Sequence, residues 1–173
     1  MKISPRSEFF GEFDIPGDKS ITHRAIMFNA AAEGEAVITN ALLGEDCLST
    51  AACMRALGAD VRVDGKEIRV RGTQRFRSAE CDCGNSGTTM RLLMGLVAGK
   101  NAEVRLTGDA SLSNRPMERV AAPLRKLGAC IETTGGKAPV IVRPARLTGC
   151  TVDTQVASAH AKSALIQAGL GAE

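Results

Sequence analysis

Residues 54–59 read MRALGA and residues 124–129 read LRKLGA, which are nearly the same letters in the same order. In both stretches a glycine, Gly58 or Gly128, ends a helix-like run and is followed by a short apolar strand pattern. Arg24 and Arg91 also stand at matching points in two earlier helix patterns. The chain therefore contains an internal repeat of roughly 70 residues.

Each full copy of the repeat has the predicted order β-α-β-α-β-β, so the fold class is α/β with two complete units and the start of a third. The units span about 14–79, 80–149 and 150–173. The third has only a predicted strand at 150–152 and one helix pattern before Glu173. A truncated repeat leaves apolar surface uncovered, so we expect a longer polypeptide or a second chain to cover it.

The first helix of the first unit begins in residues 16–24 (PGDKSITHR). Asp18 is a good N-cap, which places Lys19 and Ser20 in the first turn, where free backbone N–H groups favour an anion. Arg24 lies one turn further along on the same face as Ser20. The pattern predicts an anion site, although Lys19 and Arg24 are also compatible with solvated helix charges.

The repeat places two further helix starts in equivalent positions, at Asn85-Ser86-Gly87-Thr88 and at Ser158-Ala159-His160. Equivalent helix ends of related units face a common surface, so we expect three anion-binding N-termini to converge there. Gly87 would let a ligand approach the backbone closely, and its alternative interpretation is a plain turn glycine.

Two more charged residues fit this picture. Arg115 precedes Pro116 in a loop and offers a planar bidentate donor for a carboxylate or phosphate, or is an exposed loop arginine. Asp46 is interpreted as an N-cap or a charge partner, with a catalytic acid as the alternative. Together the residues predict a pocket for small, multiply anionic substrates without identifying the reaction.

Composition narrows the function classes. The net charge is +3, hydrophobic residues make up 44%, and phenylalanine is the only aromatic type. With little net charge and few rings to stack bases, we expect no nucleic-acid partner. No apolar run is long enough to span a membrane and no signal peptide is evident, so we expect a cytoplasmic protein without a membrane partner.

The six cysteines contain no C-x-x-C pair and the chain has only two histidines. This spacing does not match a zinc site, so we expect no metal. We interpret the cysteines as reduced and mostly buried. Nucleotide-binding glycine loops are also missing from the sequence.

Several long motifs, in order, resemble the 5-enolpyruvylshikimate-3-phosphate synthase family, also called 3-phosphoshikimate 1-carboxyvinyltransferase. The likeness runs from about Phe13 to the end of the chain. The motifs are residues 16–24 (PGDKSITHR), 44–47 (GEDC), 83–88 (CGNSGT), 106–117 (LTGDASLSNRPM) and 156–159 (VASA).

The resemblance implies a two-domain enzyme in which each domain is an inside-out α/β barrel of three β-α-β-α-β-β units, with the active site in the cleft between the domains. Family chains are more than twice as long, so this chain resembles an N-terminal portion. Residues 1–13 would be a lead-in strand that packs with the second domain, and residues 14–173 a truncated first domain.

The resemblance also implies the reaction, which is transfer of the enolpyruvyl group of phosphoenolpyruvate to the 5-hydroxyl of shikimate 3-phosphate with release of phosphate. This step leads towards chorismate and the aromatic amino acids. No metal or organic cofactor is implied, because cationic groups supply the electrostatic stabilisation.

Site residues follow by matching motif positions. Lys19 would contact both substrates and stabilise charge during the reaction. The remaining residues divide by substrate: Ser20, Arg24, Ser158, Ala159 and His160 for shikimate 3-phosphate, and Asn85, Gly87, Thr88, Arg115 and His160 for phosphoenolpyruvate.

The sequence departs from the family in two respects. His160 stands where the family has glutamine, and an imidazole has a different reach. The family's aspartate base, its glutamate acid and the second domain's cationic clamps correspond to no part of this chain. We therefore expect weak binding and no turnover from these 173 residues, whose partner would be the missing C-terminal domain or a second copy.

Two alternatives are weighed against this prediction. The sister enolpyruvyl transferase that acts on UDP-N-acetylglucosamine carries a reactive cysteine five residues before the loop arginine, where this chain has Ala110. It also has asparagine where this chain has Ser20. The other alternative is a non-catalytic fragment or substrate-binding module.

Overall fold

Apart from two predicted strands that are absent from the described residues, helices and strands follow the order of the repeat in the computed structural model, which describes residues 4–5, 8, 10–154 and 157–172. The motif residue Val156 and parts of the predicted lead-in at 1–13 lie outside the described residues. The elements are α1 (Lys19–Ala31), β1 (Glu35–Ile38), α2 (Glu45–Ala56), β2 (Asp60–Asp64), β3 (Glu67–Arg71), β4 (Ala79–Asp82), α3 (Gly87–Val97), β5 (Val104–Thr107), α4 (Ala110–Ser113), α5 (Glu118–Lys126), β6 (Cys130–Thr134), β7 (Lys137–Arg143) and α6 (Ala159–Gly169).

The two closing strands of each full unit pair as an antiparallel hairpin. In the first unit β1, β3 and β2 make an antiparallel sheet, with Val61 opposite Val70. In the second unit the order is β4-β5-β7-β6, where β4 runs parallel to β5 and the other pairs are antiparallel. Apolar residues alternate along these strands, so one face of each sheet packs against the helices.

The first unit lacks the opening strand of the predicted order, because described residues 10–18 contain no strand. Phe13 in this stretch is 67% exposed. The prediction of a strand at 150–152 is also wrong, since residues 150–154 form no strand. A strand needs a partner edge as well as apolar residues, and neither stretch pairs with one.

Helix α5 begins at Glu118, two residues after Pro116. The Met117 N–H donates to the Gly136 carbonyl at 2.8 Å, and the Arg115 N–H donates to the Leu112 carbonyl at 2.9 Å. These bonds hold residues 115–117 as a loop that leads into the helix. The loop therefore fixes the position of the Arg115 backbone, from which its side chain extends.

Helices α3 and α6 pack so closely that a side chain at Gly95 would collide with its neighbour. A Cβ there would lie 2.1 Å from the Ala164 carbonyl oxygen. Most of α3 is buried, including Leu92, Leu93 and Met94. The close approach brings the N-termini of α3 and α6 side by side, because the two helices begin at the same end of the packing.

The cysteines are free thiols, as predicted. Cys47, Cys53, Cys81 and Cys83 are buried, whereas Cys130 and Cys150 are exposed. Cys81 and Cys83 lie two residues apart at β4 and face the same interior. Among the described residues, no helix is both long and apolar enough to cross a membrane.

Candidate active site

The start of α1 is capped as the sequence predicts. The Asp18 carboxylate accepts a hydrogen bond from the Ile21 N–H at 2.7 Å. Lys19 follows in the first turn, is half exposed and forms an ion pair with Asp46 at the start of α2. The charge-partner interpretation of Asp46 is therefore confirmed. Ser20 is exposed beside Lys19.

Arg24 connects α1 to α6. Its guanidinium donates to the Ser20 carbonyl at 3.1 Å and to the Ser163 hydroxyl at 2.9 Å. Ser163 lies just over one turn into α6, after the predicted third helix start. The first and third helix starts are therefore adjacent, although 139 residues separate the two side chains in the sequence.

At the start of α3 a glycine, Gly87, lies between two arginine side chains. Ser86 is the N-cap and accepts the Thr89 N–H at 3.1 Å. A Cβ on Gly87 would lie 2.6 Å from Nη1 of Arg91 and 3.4 Å from Nη1 of Arg115. The backbone of Gly87 therefore lies directly against two guanidinium groups, which makes this helix start strongly cationic.

Arg115 lies over the loop before α3. It donates to the Asn85 carbonyl at 3.3 Å, to the Asn85 side-chain oxygen, and to the Ser111 hydroxyl at 3.3 Å. The Asn85 amide in turn donates to Asp109 at 2.7 Å. The Leu112 N–H and this amide hold the pKa of Asp109 below its usual value, so the carboxylate is a stable anchor for the loop.

The start of α6 joins the same surface. Ser158 caps the helix through the Ala161 N–H at 3.4 Å, and Ala159 is exposed at the first helical position. The His160 Nε2 lies 3.1 Å from the Thr88 hydroxyl at the start of α3. This contact joins the second and third predicted helix starts directly.

Positive charge accumulates where the helix starts meet. Burial, followed by repulsion from Arg119 and Arg115, lowers the pKa of Arg91 to about 10. Its Nε has no hydrogen-bond partner among the described residues, although its side chain is only 5% exposed. Burial and the nearby arginines, Arg91 first, also lower the pKa of His160. A bound anion would relieve this repulsion and occupy unused donors.

Arg91 belongs to the second helix start, where the sequence places it at the point that matches Arg24, four residues after Gly87 and so on the same helix face. Arg119 and Ser163 are the residues of this surface that sequence reasoning missed. Arg119 could be suspected only from its position in the first turn of α5. The contact of Ser163 with Arg24 depends on how α6 packs and leaves no local sequence signal.

A family model described as EPSP synthase (3-phosphoshikimate 1-carboxyvinyltransferase) matches residues 3–173. Curated relatives called 3-phosphoshikimate 1-carboxyvinyltransferase include those of Bacillus licheniformis, 48% identical over all of this chain, and of a Roseiflexus species, 49% identical over 97% of it. The chain spans 42% and 40% of those relatives' lengths.

Solved structures agree. A structure of EPSP synthase from Acinetobacter baumannii superposes with a TM-score of 0.88 and 44% identity, over 94% of this chain and 38% of that one. The inside-out α/β fold class implied by the motifs is thereby confirmed. With nearly its whole length matched by the family model, this chain belongs to the EPSP synthase family.

Proposed function

We propose that this chain supplies one side of an EPSP synthase active site. There the enolpyruvyl group of phosphoenolpyruvate would pass to the 5-hydroxyl of shikimate 3-phosphate, with release of phosphate. The observation that carries the proposal is the meeting of three helix starts on one cationic surface, through the Arg24–Ser163 and Thr88–His160 contacts. Two anionic substrates need such a concentration of donors.

Shikimate 3-phosphate would lie between α1 and α6. Arg24 already spans the two helices and keeps donor capacity for a phosphate. Ser20 and Ala159 are exposed beside it, and Ser158 and His160 complete this part of the surface. Free N–H groups in the first turns of both helices would add to phosphate binding.

Phosphoenolpyruvate would lie at the start of α3. The Gly87 backbone lies against the guanidinium groups of Arg91 and Arg115, and Asn85 and Thr88 flank it in the chain. Lys19 would contact both substrates, since its side chain stays half exposed although it pairs with Asp46. A cation there would stabilise negative charge that develops during the transfer.

The domain arrangement and partners belong to the same proposal. We place residues 1–13 against a second domain and residues 14–173 in a first domain. Ile166 on α6 and Leu170 at its C-cap are 67% and 76% exposed, which supports an apolar face that a further domain or a second copy covers. Free thiols at all six cysteines support a cytoplasmic location.

Calorimetric titration of the 173-residue chain tests the proposal. We expect shikimate 3-phosphate to bind at least about tenfold more tightly than shikimate, which lacks the phosphate that Arg24 would hold. The control is the variant Arg62→Ala, which removes an exposed arginine that pairs with Asp60 on β2. It should show the same preference for shikimate 3-phosphate as the original chain. Equal affinity for the two ligands would refute the assignment. We also expect no phosphate release by this chain from the two substrates together.

A further inference from the structure

Four buried polar side chains form a continuous line through the interior beneath the candidate site. They are His23, Thr50, Thr89 and Ser86, and each is 0% exposed. We call this line the hydroxyl relay. Burial of so many polar groups is costly unless each one is hydrogen-bonded, so such a line needs an explanation.

The contacts along the relay are short. The His23 Nδ1 lies 2.7 Å from the Thr50 hydroxyl, and that hydroxyl lies 2.7 Å from the Thr89 hydroxyl. Thr89 in turn donates to the Ser86 hydroxyl oxygen at 2.7 Å. The relay therefore runs from α1, through α2, to the N-cap of α3.

The direction of the first hydrogen bond follows from the acceptors around Thr50. Its hydroxyl proton can go to the Thr89 hydroxyl at 2.7 Å or to the Asp46 carbonyl at 3.4 Å, and Thr89 can likewise donate to Ser86 or to the Asp46 carbonyl at 3.3 Å. With acceptors of its own on α2 and α3, the Thr50 hydroxyl is free to accept from the His23 ring. We infer that it does so, which requires a proton on Nδ1 of His23 and a bare Nε2.

The surroundings of His23 Nε2 are consistent with a proton on Nδ1. The His23 Nε2 is buried and has no hydrogen-bond partner among the described residues. An unsatisfied buried acceptor is more common than an orphaned N–H donor, which favours the unprotonated state for Nε2.

Burial also keeps the ring neutral. Desolvation lowers the pKa of His23 to about 4, and Lys19, Arg24 and His160 act in the same direction. Asp46 is the charged group that opposes them. A neutral ring at pH 7 is what the relay requires, because an imidazolium would need a partner at both nitrogens.

The relay joins the elements that carry the candidate site. His23 lies between Lys19 and Arg24 on α1, and Thr50 lies one turn after Asp46 on α2. Ser86 immediately precedes Gly87 and caps the helix that presents it. A shift of the relay would move the starts of α1 and α3 relative to each other.

We propose that His23 is a positioning residue, whose neutral Nδ1–H tautomer fixes the helix starts of α1 and α3 relative to each other through Thr50, Thr89 and Ser86. For its effect on ligand binding, this inference rests on the proposed function. The tautomer itself is independent of any ligand. Displacement of a binding group by about 1 Å can cost on the order of 10²-fold in function, so a rigid link has a clear benefit.

Nitrogen-15 NMR of the histidine rings tests the tautomer directly, because the chain has only two histidines. The variant His160→Gln removes one signal and assigns the other. We expect His23 to show Nδ1–H with an unprotonated Nε2 at pH 7, and to stay neutral down to pH 5. An Nε2–H ring or an imidazolium at pH 7 would overturn the proposal.

Two matched variants test the positioning role. Thr50→Val keeps the shape and removes the hydroxyl, whereas Thr50→Ser keeps the hydroxyl. We expect Thr50→Val to displace the tautomer equilibrium towards Nε2–H and to weaken shikimate 3-phosphate binding about tenfold. Thr50→Ser should retain the tautomer and bind within about twofold of the original chain.

The outcomes separate the two proposals. An original chain that does not bind shikimate 3-phosphate refutes the proposed function, while the NMR result still decides the tautomer. Equal binding by Thr50→Val and Thr50→Ser overturns the positioning role. If Thr50→Val does not fold, the pair Thr89→Ala and Thr89→Ser removes or keeps the middle hydroxyl and is judged by the same two measurements.

Discussion

Gly87 shows how a single missing side chain shapes the candidate site. The position that a Cβ would occupy is 2.6 Å from the Arg91 guanidinium, which is itself buried and has limited freedom to move. We expect Gly87→Ala to raise the dissociation constant for phosphoenolpyruvate about tenfold, measured with shikimate 3-phosphate present. The methyl group would take the space of the anion and displace Arg91.

The control for this prediction is Gly169→Ala at the end of α6, where a Cβ would meet no atom within 4 Å. Its affinity should equal that of the original chain. If Gly87→Ala also binds phosphoenolpyruvate unchanged, the anion does not lie against this backbone.

His160 gives the site a pH dependence. Its pKa lies below the ordinary value because of burial and the surrounding arginines, so the ring is neutral at pH 7. A bound dianion beside it would raise the pKa, and the complex would then hold more protons than the free chain. Affinity for shikimate 3-phosphate should therefore rise as the pH falls from 8 to 6.

This prediction is checked by calorimetry in buffers of different ionisation enthalpy. The ligand phosphate also titrates in this range, so the informative quantity is the difference between the original chain and His160→Gln. We expect proton uptake on binding at pH 6.5 to be larger for the original chain. Equal uptake by the two proteins would place His160 away from the bound phosphate.

At the scale of elements, the contact between α3 and α6 controls how two helix starts are placed. Alanine in place of glycine inside a helix usually stabilises it by about 1 kcal/mol. At Gly95 the added Cβ would lie 2.1 Å from the Ala164 carbonyl, so we expect Gly95→Ala to lower the free energy of unfolding by about 1–3 kcal/mol.

Urea denaturation measures this change, with Gly169→Ala again as the matched control. Both substitutions make the same chemical change in or at the end of a helix, and only Gly95 faces a neighbouring backbone. A stabilised Gly95→Ala protein would mean that α6 does not pack against α3 as described.

Local capping chemistry made the helix starts predictable from the sequence. Asp18, Ser86 and Ser158 each accept a backbone N–H three residues ahead. The strand expected at 150–152 was not predictable in this way, because strand formation depends on a partner edge elsewhere in the fold. The loop that leads into α5 depends on the hydrogen bond from the Met117 N–H to the Gly136 carbonyl, which local sequence does not reveal.

At the scale of the whole molecule, the internal repeat indicated that several helix starts would face one surface. It did not indicate which side chains would join them. The Arg24–Ser163 bond links residues far apart in sequence, and Thr50 and Thr89 look like ordinary threonines inside helices until the helices are packed. Long-range packing, rather than local propensity, decides the Arg24–Ser163 bond and the contact between Thr50 and Thr89.

The chain spans about two fifths of the curated relatives it matches, and Ile166 and Leu170 leave an apolar face exposed near the end of α6. We therefore regard the cationic surface as the substrate-binding side of the proposed site. Its binding properties are testable without turnover.

The central claim is that α1 and α6 together hold the phosphate of shikimate 3-phosphate, with Arg24 as the residue that bridges them. Calorimetric titration of this ligand into the original chain and into Arg24→Ala tests it most directly. Since hydrogen bonds to charged groups contribute about 1.5–3 kcal/mol, we predict that Arg24→Ala weakens binding at least about tenfold. Arg62→Ala should leave it unchanged. Equal dissociation constants for the original chain and Arg24→Ala would contradict the claim.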